Sequence, residues 1–327
     1  MSTPDHPAVT VGDGPLTIDH VVAVARHDAR VVISAAAVAR MAQTRAVIDG
    51  LADDVEPHYG VSTGFGALAT RHIPLELRTQ LQRSLVRSHA AGSGAEVERE
   101  VVRGLMVLRL ATLATGRTGI RPVVAQTYAA MLNAGITPVV HEFGSLGCSG
   151  DLAPLAHCAL AAMGEGPVRL ADGTPSDAAS ALQDNGIEPV VLREKEGLAL
   201  INGTDGMLGM LCLAISDLRG LLTVADVTTA MSVEGLLGTD DVFAADLQAL
   251  RPQPGQALSA ANIRRVIADS PIRHSHDTED CPRVQDAYSL RCAPQVTGAA
   301  RDTVEHAARI AAYELASDGP VTVGRRG

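Results

Sequence analysis

The sequence predicts a mainly α-helical protein, and three observations carry that reading. Apolar residues recur at helical spacing along most of the 327 residues. Few segments show the period-two alternation of a half-buried strand. Loops crowded with glycine and small polar residues separate the helical stretches. Apolar residues make up 46% of the chain and charged ones 20%, a composition that builds a sizeable core. With three Phe, four Tyr and no Trp, that core has to be aliphatic.

Taken in order, Ser34 reads as the N-cap of a helix running to Leu51, with Val38, Met41 and Ile48 among its apolar positions. Val97, Val101, Leu105, Leu108 and Leu113 form the stripe of a second helix, with Arg99 and Arg103 off it. Pro122 stands at the first turn of a third, which reaches Asn133. A helix over Leu152–Met163 follows Asp151, and a cap there is one of the alternative readings of that residue. Gly166–Leu170 and Pro189–Leu192 read as the strands of a small hairpin. Residues 206–237 are apolar nearly all round, the pattern of a helix buried among others, within the domain or between subunits. A last helix covers 298–316 and stops near Ser317-Asp318-Gly319-Pro320. Length alone suggests about two domains, and no internal repeat or low-complexity tract is present.

Composition excludes several functions. A net charge of −10 argues against a polyanionic partner, and the scarcity of aromatics argues against base-stacking nucleic-acid readers. Lys195 is the single lysine; every other cationic residue besides histidine is arginine. Pyridoxal enzymes, Schiff-base aldolases and P-loop NTPases each need a lysine in a motif that Arg-Glu-Lys195-Glu-Gly does not match, and its flanking carboxylates are expected to keep it charged. Five cysteines without C-x-x-C spacing favour neither a disulfide framework nor zinc, and fit a reducing cytoplasm. The N-terminus has no basic and apolar signal pattern, and no apolar run reaches the roughly 20 residues of a membrane span. A soluble, cytoplasmic protein is expected. His274-Ser-His276-Asp277 with Cys281 looks like a metal-ligand set, but its spacing matches no zinc pattern and it reads as a polar surface loop.

Four loops stand out: Tyr59-Gly-Val-Ser-Thr-Gly-Phe-Gly66, Gly144-Ser-Leu-Gly-Cys-Ser-Gly-Asp151, Asn202-Gly-Thr204 and Gln285-Asp-Ala-Tyr-Ser-Leu-Arg291. Glycine lets backbone approach a ligand closely, and loops on a rigid scaffold are where sites are built. The second loop has several readings. It could cradle an anion, but it is neither G-x-G-x-x-G nor a P-loop. Ser149 could be a nucleophile, yet G-x-S-x-G would need glycine at 151, where Asp stands. Cys148 could be a thiol nucleophile with His157 or His89 as its partner. The plain alternative is that Asp151 caps a helix and the glycines only permit the turn. A further reading is covalent: in a residue-Ser-Gly tripeptide, the glycine nitrogen attacks the carbonyl two residues back and two waters leave. The product, 4-methylidene-imidazol-5-one (MIO), is an electrophile made from backbone, available to a chain with almost no lysine.

Residues 144–157, Gly-Ser-Leu-Gly-Cys-Ser-Gly-Asp-Leu-Ala-Pro-Leu-Ala-His, resemble the signature of the MIO-dependent aromatic amino acid ammonia-lyases, the histidine ammonia-lyases in particular. The other three loops agree in order, and the resemblance runs from about Leu16 to Ala316. It implies an aspartase/fumarase-like helical fold, with a loop-rich N-terminal MIO domain over 1–205 and part of a long central helical bundle over 206–327. It implies an MIO group from Cys148, Ser149 and Gly150, with Asp151 assisting the cyclisation and no metal, pyridoxal phosphate or nucleotide. Tyr59 would remove the β-proton; an ordinary phenol is a poor base near neutrality, so the site must make it a better one. Asn202 would bond the MIO carbonyl, Arg291 would pair with the substrate carboxylate, and Gln285 and Tyr288 would line the site. His89, in Ser88-His89-Ala90-Ala91-Gly92, would lie beside the substrate ring and favour L-histidine, giving trans-urocanate and ammonia in histidine degradation. A tyrosine ammonia-lyase or aminomutase is the alternative within the family. Family chains continue beyond the point matching Ser317-Asp318-Gly319-Pro320 with further site residues and bundle helices, and they assemble as homotetramers. The resemblance therefore also implies a C-terminally incomplete chain, and with it the alternative of an inactive fragment.

Overall fold

A computed structural model of the chain describes residues 6–317 apart from 55, 67, 68, 280, 282 and 283. The expected helix stop at Ser317-Asp318-Gly319-Pro320 lies, past Ser317, outside the described residues. The chain forms two units, Met1–Leu213 with Ala311–Gly327, and Ala214–Ile310.

The first unit opens with Val9–Val11 (β1), Ile18–His27 (α1) and Val31–Ile33 (β2), the two strands pairing in parallel across the helix. A capping box starts α1: Thr17 Oγ1 accepts from the His20 amide while His20 Nδ1 accepts from the Thr17 amide. Ala35–Ala52 (α2) follows, and Ser34 caps it as the sequence predicts, its Oγ accepting from the Ala37 amide at 3.1 Å. Leu75–His89 (α3), Ser93–Glu96 (β3), Arg99–Ala114 (α4) and Pro122–Asn133 (α5) come next, the last with the bounds its proline suggested.

The central helix is α4, and its surroundings differ from expectation. It is buried on nearly its whole circumference, Arg103 included. Arg103 Nε and Nη2 donate to the Val24 carbonyl, and Nη1 donates to that of Leu132. The guanidinium thus ties carbonyls near the ends of α1 and α5 to α4. Burial pushes its pKa down to about 10, although Asp28 opposes the shift. A stripe drawn from apolar residues alone misses a buried arginine whose partners are two backbone carbonyls and the Asp28 carboxylate at 2.9 Å.

Thr137–Pro138 (β4), His141–Phe143 (β5), Leu152–Ala162 (α6), Pro167–Arg169 (β6), Pro175–Asp177 (β7), Ala178–Asp184 (α7) and Glu196–Ile201 (α8) complete most of this unit. The expected hairpin partner is wrong: β6 pairs antiparallel with β4 and β7, and Pro189–Leu192 form no strand. Val190 and Leu192 are apolar because they pack into the core, and the Val190 amide bonds the Ala162 carbonyl at 2.9 Å. The core is aliphatic, as composition requires, with Leu110, Leu113, Val124, Met131 and Leu155 all fully buried.

Asp205–Gly235 (α9) crosses the boundary between the units at Leu213. In the second unit it is followed by Ala245–Ala249 (α10), Pro254–Ile267 (α11), Pro271–His274 (α12), Tyr288–Arg291 (α13) and Ala293–Leu315 (α14), which recrosses the boundary at Ala311. Phe243 sits in a small core with Ala230, Val233, Ala260, Ile263 and Leu290. Gly255 and Gly298 let α11 and α14 touch through backbone, since a Cβ on Gly298 would fall on the Gln256 backbone. Charged pairs hold α14 to α9, with Arg219 and Glu305 2.9 Å apart and Arg301 on Asp226.

One expectation is met in part and another needs correcting. Within the chain, residues 206–237 are buried on one side, at Ile215, Ala230 and Val233, whereas Leu221, Val224 and Met231 are exposed, the side that burial between subunits would cover. Glu196–Gly235 is also long and apolar enough, by length and composition, to cross a membrane, against the expectation that no segment would be. The Asp226–Arg301 and Arg219–Glu305 pairs mark its second half as a packing helix rather than a lipid-facing one. The His274 segment forms an ion-pair network, with Arg273 bonding Asp240 and Asp277, and His274 Nδ1 3.0 Å from Asp277.

Candidate active site

The loop from Gly144 to Asp151 folds back on itself. Gly147–Ser149 form one 3-10 turn, the Gly150 amide donates to the Gly147 carbonyl at 2.9 Å, and the Leu146 amide donates to the Gly150 carbonyl at 2.9 Å. Gly150 has φ +109°, and a Cβ there would stand 3.1 Å from the Gly203 carbonyl oxygen, so glycine is required on both counts. The next amide, of Asp151, donates to that same oxygen at 2.7 Å.

The plain alternative for Asp151, a cap on α6, is not the role its side chain takes. It occupies the N-cap position with φ −95° and ψ 48°, outside the usual extended geometry, and makes no side-chain cap bond. Its carboxylate is 1% exposed, and instead accepts from Ser145 Oγ at 2.6 Å and from the Met207 amide at 3.0 Å. The second bond comes from the first turn of α9, where the helix dipole favours a negative charge. A buried carboxylate is therefore fixed directly beside the Cys148-Ser149-Gly150 tripeptide.

Cys148, Ser149 and Gly150 line a cavity of about 760 Å³ together with Asn202, Gly203 and Thr204. Behind Gly203 a buried ion pair joins Arg109 to Asp205; Arg109 Nη1 also donates to the Ala199 carbonyl at 3.0 Å. A side chain at position 203 would collide with that guanidinium. The tripeptide fits the MIO group on these grounds. It holds the required Ser-Gly pair in a tight turn, admits no side chain at 150, and stands beside a buried carboxylate. Cys148 is exposed, so its side chain is not needed to fill the core.

Tyr59 and His89 do not line that cavity. Tyr59 sits in a turn closed by the Val61 and Ser62 amides on the His58 carbonyl at 3.1 and 3.0 Å, and the ring is 49% exposed. Its hydroxyl accepts from the Gly66 amide at 3.4 Å, and Phe65 packs edge-on 6.1 Å away. His89 ends α3 with Nδ1 2.9 Å from the Leu85 carbonyl and 3.1 Å from Ser88 Oγ. The Nε2 of His157 takes the Gly92 amide at 3.2 Å, so the described bonds of both candidate thiol partners go elsewhere than Cys148.

Gln285, Tyr288 and Arg291 belong to the second unit. Arg291 Nη1 donates to Gln285 Oε1 at 2.5 Å, and its guanidinium carbon lies 5.8 Å from the Tyr288 ring centroid. All three therefore share one patch, in which the arginine stacks on an exposed tyrosine.

Sequence reasoning missed the surroundings of Lys195. Its flanking carboxylates have arginine partners: Glu194 pairs with Arg45 at 3.4 Å and Glu196 with Arg121 at 2.7 Å. Lys195 is 4% exposed, and burial lowers its pKa. Its Nζ reaches the Tyr59 carbonyl, and its backbone amide bonds the Gly60 carbonyl at 3.1 Å. The Arg109–Asp205 pair was missed as well; an arginine inside the apolar run of α4 was the available signal.

A family model described as aromatic amino acid lyase matches residues 16–323. A histidine ammonia-lyase of Streptomyces griseus is 64% identical over 317 residues, which cover 96% of this chain and 62% of that protein. The chain thus spans about three-fifths of the length of such relatives. Among solved structures, tyrosine aminomutase from Streptomyces globisporus matches with a TM-score of 0.88 at 37% identity, over 98% of this chain and 63% of that one. Histidine ammonia-lyase from Trypanosoma cruzi matches with a TM-score of 0.85 at 36% identity, over 98% and 59%. Helical architecture, motif order and a family match over nearly the whole length agree, and the chain belongs to the aromatic amino acid lyase family.

Proposed function

We propose that this chain carries a histidine ammonia-lyase site, eliminating ammonia from L-histidine to give trans-urocanate, with an MIO group formed from Cys148, Ser149 and Gly150. The observation that carries this reading is the turn itself: a Ser-Gly pair with no room for a side chain at 150, on the same cavity wall as Asn202 and beside buried Asp151. The 64% identity to a protein named histidine ammonia-lyase supports the substrate.

The MIO group supplies the electrophile that makes the substrate amine a leaving group. In its formation the Gly150 nitrogen bonds to the Cys148 carbonyl carbon with loss of one water, and Ser149 loses a second to leave the methylidene carbon. Asp151, held by Ser145 and the Met207 amide, is the group beside that turn able to handle the protons. Asn202, on the same cavity wall, would hold the MIO carbonyl. In the elimination, the Tyr59 oxygen takes the proton from the β-carbon as the Cα–N bond breaks and the double bond forms. Arg291 pairs with the substrate carboxylate, Gln285 and Tyr288 line the site, and His89 meets the imidazole. Cytoplasmic residence is supported by five free thiols. The exposed apolar residues Leu221, Val224 and Met231 support assembly as a homotetramer.

Intact mass tests the first step: a deficit of two waters is expected, and a full mass overturns the MIO reading. Urocanate formation from L-histidine tests the second. Preferred turnover of tyrosine would transfer the chain to the tyrosine branch, to which the S. globisporus structure belongs.

A further inference from the structure

The turn after α3 is held to the elements flanking the Gly144–Asp151 loop by one histidine. His157 lies on α6, six residues after Asp151, and the Gly92 amide donates to its Nε2 at 3.2 Å. That bond requires a lone pair on Nε2 and places the ring proton on Nδ1. Gly92 is closely packed: a Cβ there would press on the ring, 3.1 Å from Nε2 and 3.4 Å from the His141 Cβ. Gly144, which opens the loop, packs on the same spot, since a Cβ on it would be 3.6 Å from the Gly92 Cα and 3.0 Å from the Ala153 Cβ. On the other side, β3 pairs antiparallel with β5, with Ser93 opposite Phe143 and His141 Nδ1 3.1 Å from the Gly94 carbonyl. The His141 ring meets the His157 ring edge-on at 5.6 Å.

Between His89 and Gly92 the backbone has little freedom. The Ala90 amide bonds the Val86 carbonyl at 3.0 Å and the Ala91 amide bonds that of His89 at 2.8 Å. A tight turn thus starts at His89 and ends on His157. We propose that His157 is a positioning residue: its Nε2, by holding the Gly92 amide, fixes the His89–Gly92 turn relative to the Cys148-Ser149-Gly150 loop and so sets where the His89 ring meets the substrate. This rests on the reading of His89 as the residue beside the substrate ring. Burial, with His141 as the charged-form neighbour, lowers the His157 pKa and keeps the acceptor available near neutrality.

The test uses the full chain with ¹⁵N labelling and two variants. His157→Leu removes the acceptor; His157→Gln offers an amide oxygen in its place. In His157→Leu the Gly92 amide should exchange with solvent about 10-fold faster, the size of one lost hydrogen bond. KM for L-histidine should rise by a similar factor with kcat within about 2-fold and the two-water mass deficit kept, since fixing the turn affects binding rather than the electrophile. His157→Gln should restore most of both. Gly92 exchange unmoved by His157→Leu overturns the proposal, as does an equal loss in kcat and kcat/KM, or a loss of the mass deficit, which would mark general damage. A wild-type chain that makes no urocanate instead overturns the activity reading; the Gly92 measurement then still decides this one.

Discussion

The Nζ of Lys195 stands 5.9 Å from the centroid of the Tyr59 ring and 3.4 Å from that residue's carbonyl oxygen. The chain's one lysine therefore braces the turn that carries the proposed base. Replacing it with methionine leaves neither neighbouring carboxylate stranded, because Glu194 and Glu196 hold arginines. Lys195→Met should change unfolding free energy by no more than about 1 kcal/mol, since lost charge contacts and relieved desolvation oppose each other. Urocanate formation should fall about 10- to 100-fold through the misplaced turn. Urea unfolding and a spectrophotometric assay on the same preparation separate the two effects.

Asp151 and Ser145 make a second prediction. Asp151→Asn keeps the shape but removes the carboxylate that Ser145 and the Met207 amide hold. The variant should be isolated heavier than the mature chain by two waters. Ser145→Ala, which loosens the carboxylate without removing it, should mature more slowly and show a mixture of masses. Gly150→Ala should not mature at all, because alanine fits neither φ +109° nor the 3.1 Å gap to Gly203.

The Arg109–Asp205 pair is buried on both sides. Arg109→Met strands the Asp205 carboxylate and should cost about 3–5 kcal/mol of stability. Adding Asp205→Asn should recover part of that loss, because no uncompensated charge then remains. A denaturant double-mutant cycle measures the coupling.

Acid should weaken the fold through His157. Burial and His141 lower its pKa in the folded chain relative to about 6.5 unfolded. Between those values the unfolded chain binds more protons, so stability rises with pH across the window. Its contribution is complete above about 6.5 and is lost as pH falls toward the folded value. Unfolding midpoints measured across that range should decline in the wild type and decline less in His157→Gln.

The helices and the glycine-rich Gly144–Asp151 loop were legible because their signals are local. Ser34 caps α2 and Pro122 starts α5 through bonds and φ restrictions within a single turn. The Ser149-Gly150 pair, on which the proposed MIO group rests, is visible as two adjacent residues. Position 151 shows where local reading fails: an aspartate before a helix looks like a cap, but its bonds go to Ser145 and to Met207, 56 residues away. The misplaced hairpin at Pro189–Leu192 has the same cause, since short apolar alternation does not distinguish strand pairing from core packing.

By itself the sequence determined the helical class, the aliphatic core and the four motif loops, since each depends on residue type and near-neighbour spacing. Tertiary structure alone decided that Lys195 lies under Tyr59 with its flanking carboxylates committed to Arg45 and Arg121, and that His157 holds the turn from His89. Those partners are tens of residues or more apart in the chain. Burial and hydrogen-bond geometry, which select one partner among many possible ones, exist only once the backbone has closed around them.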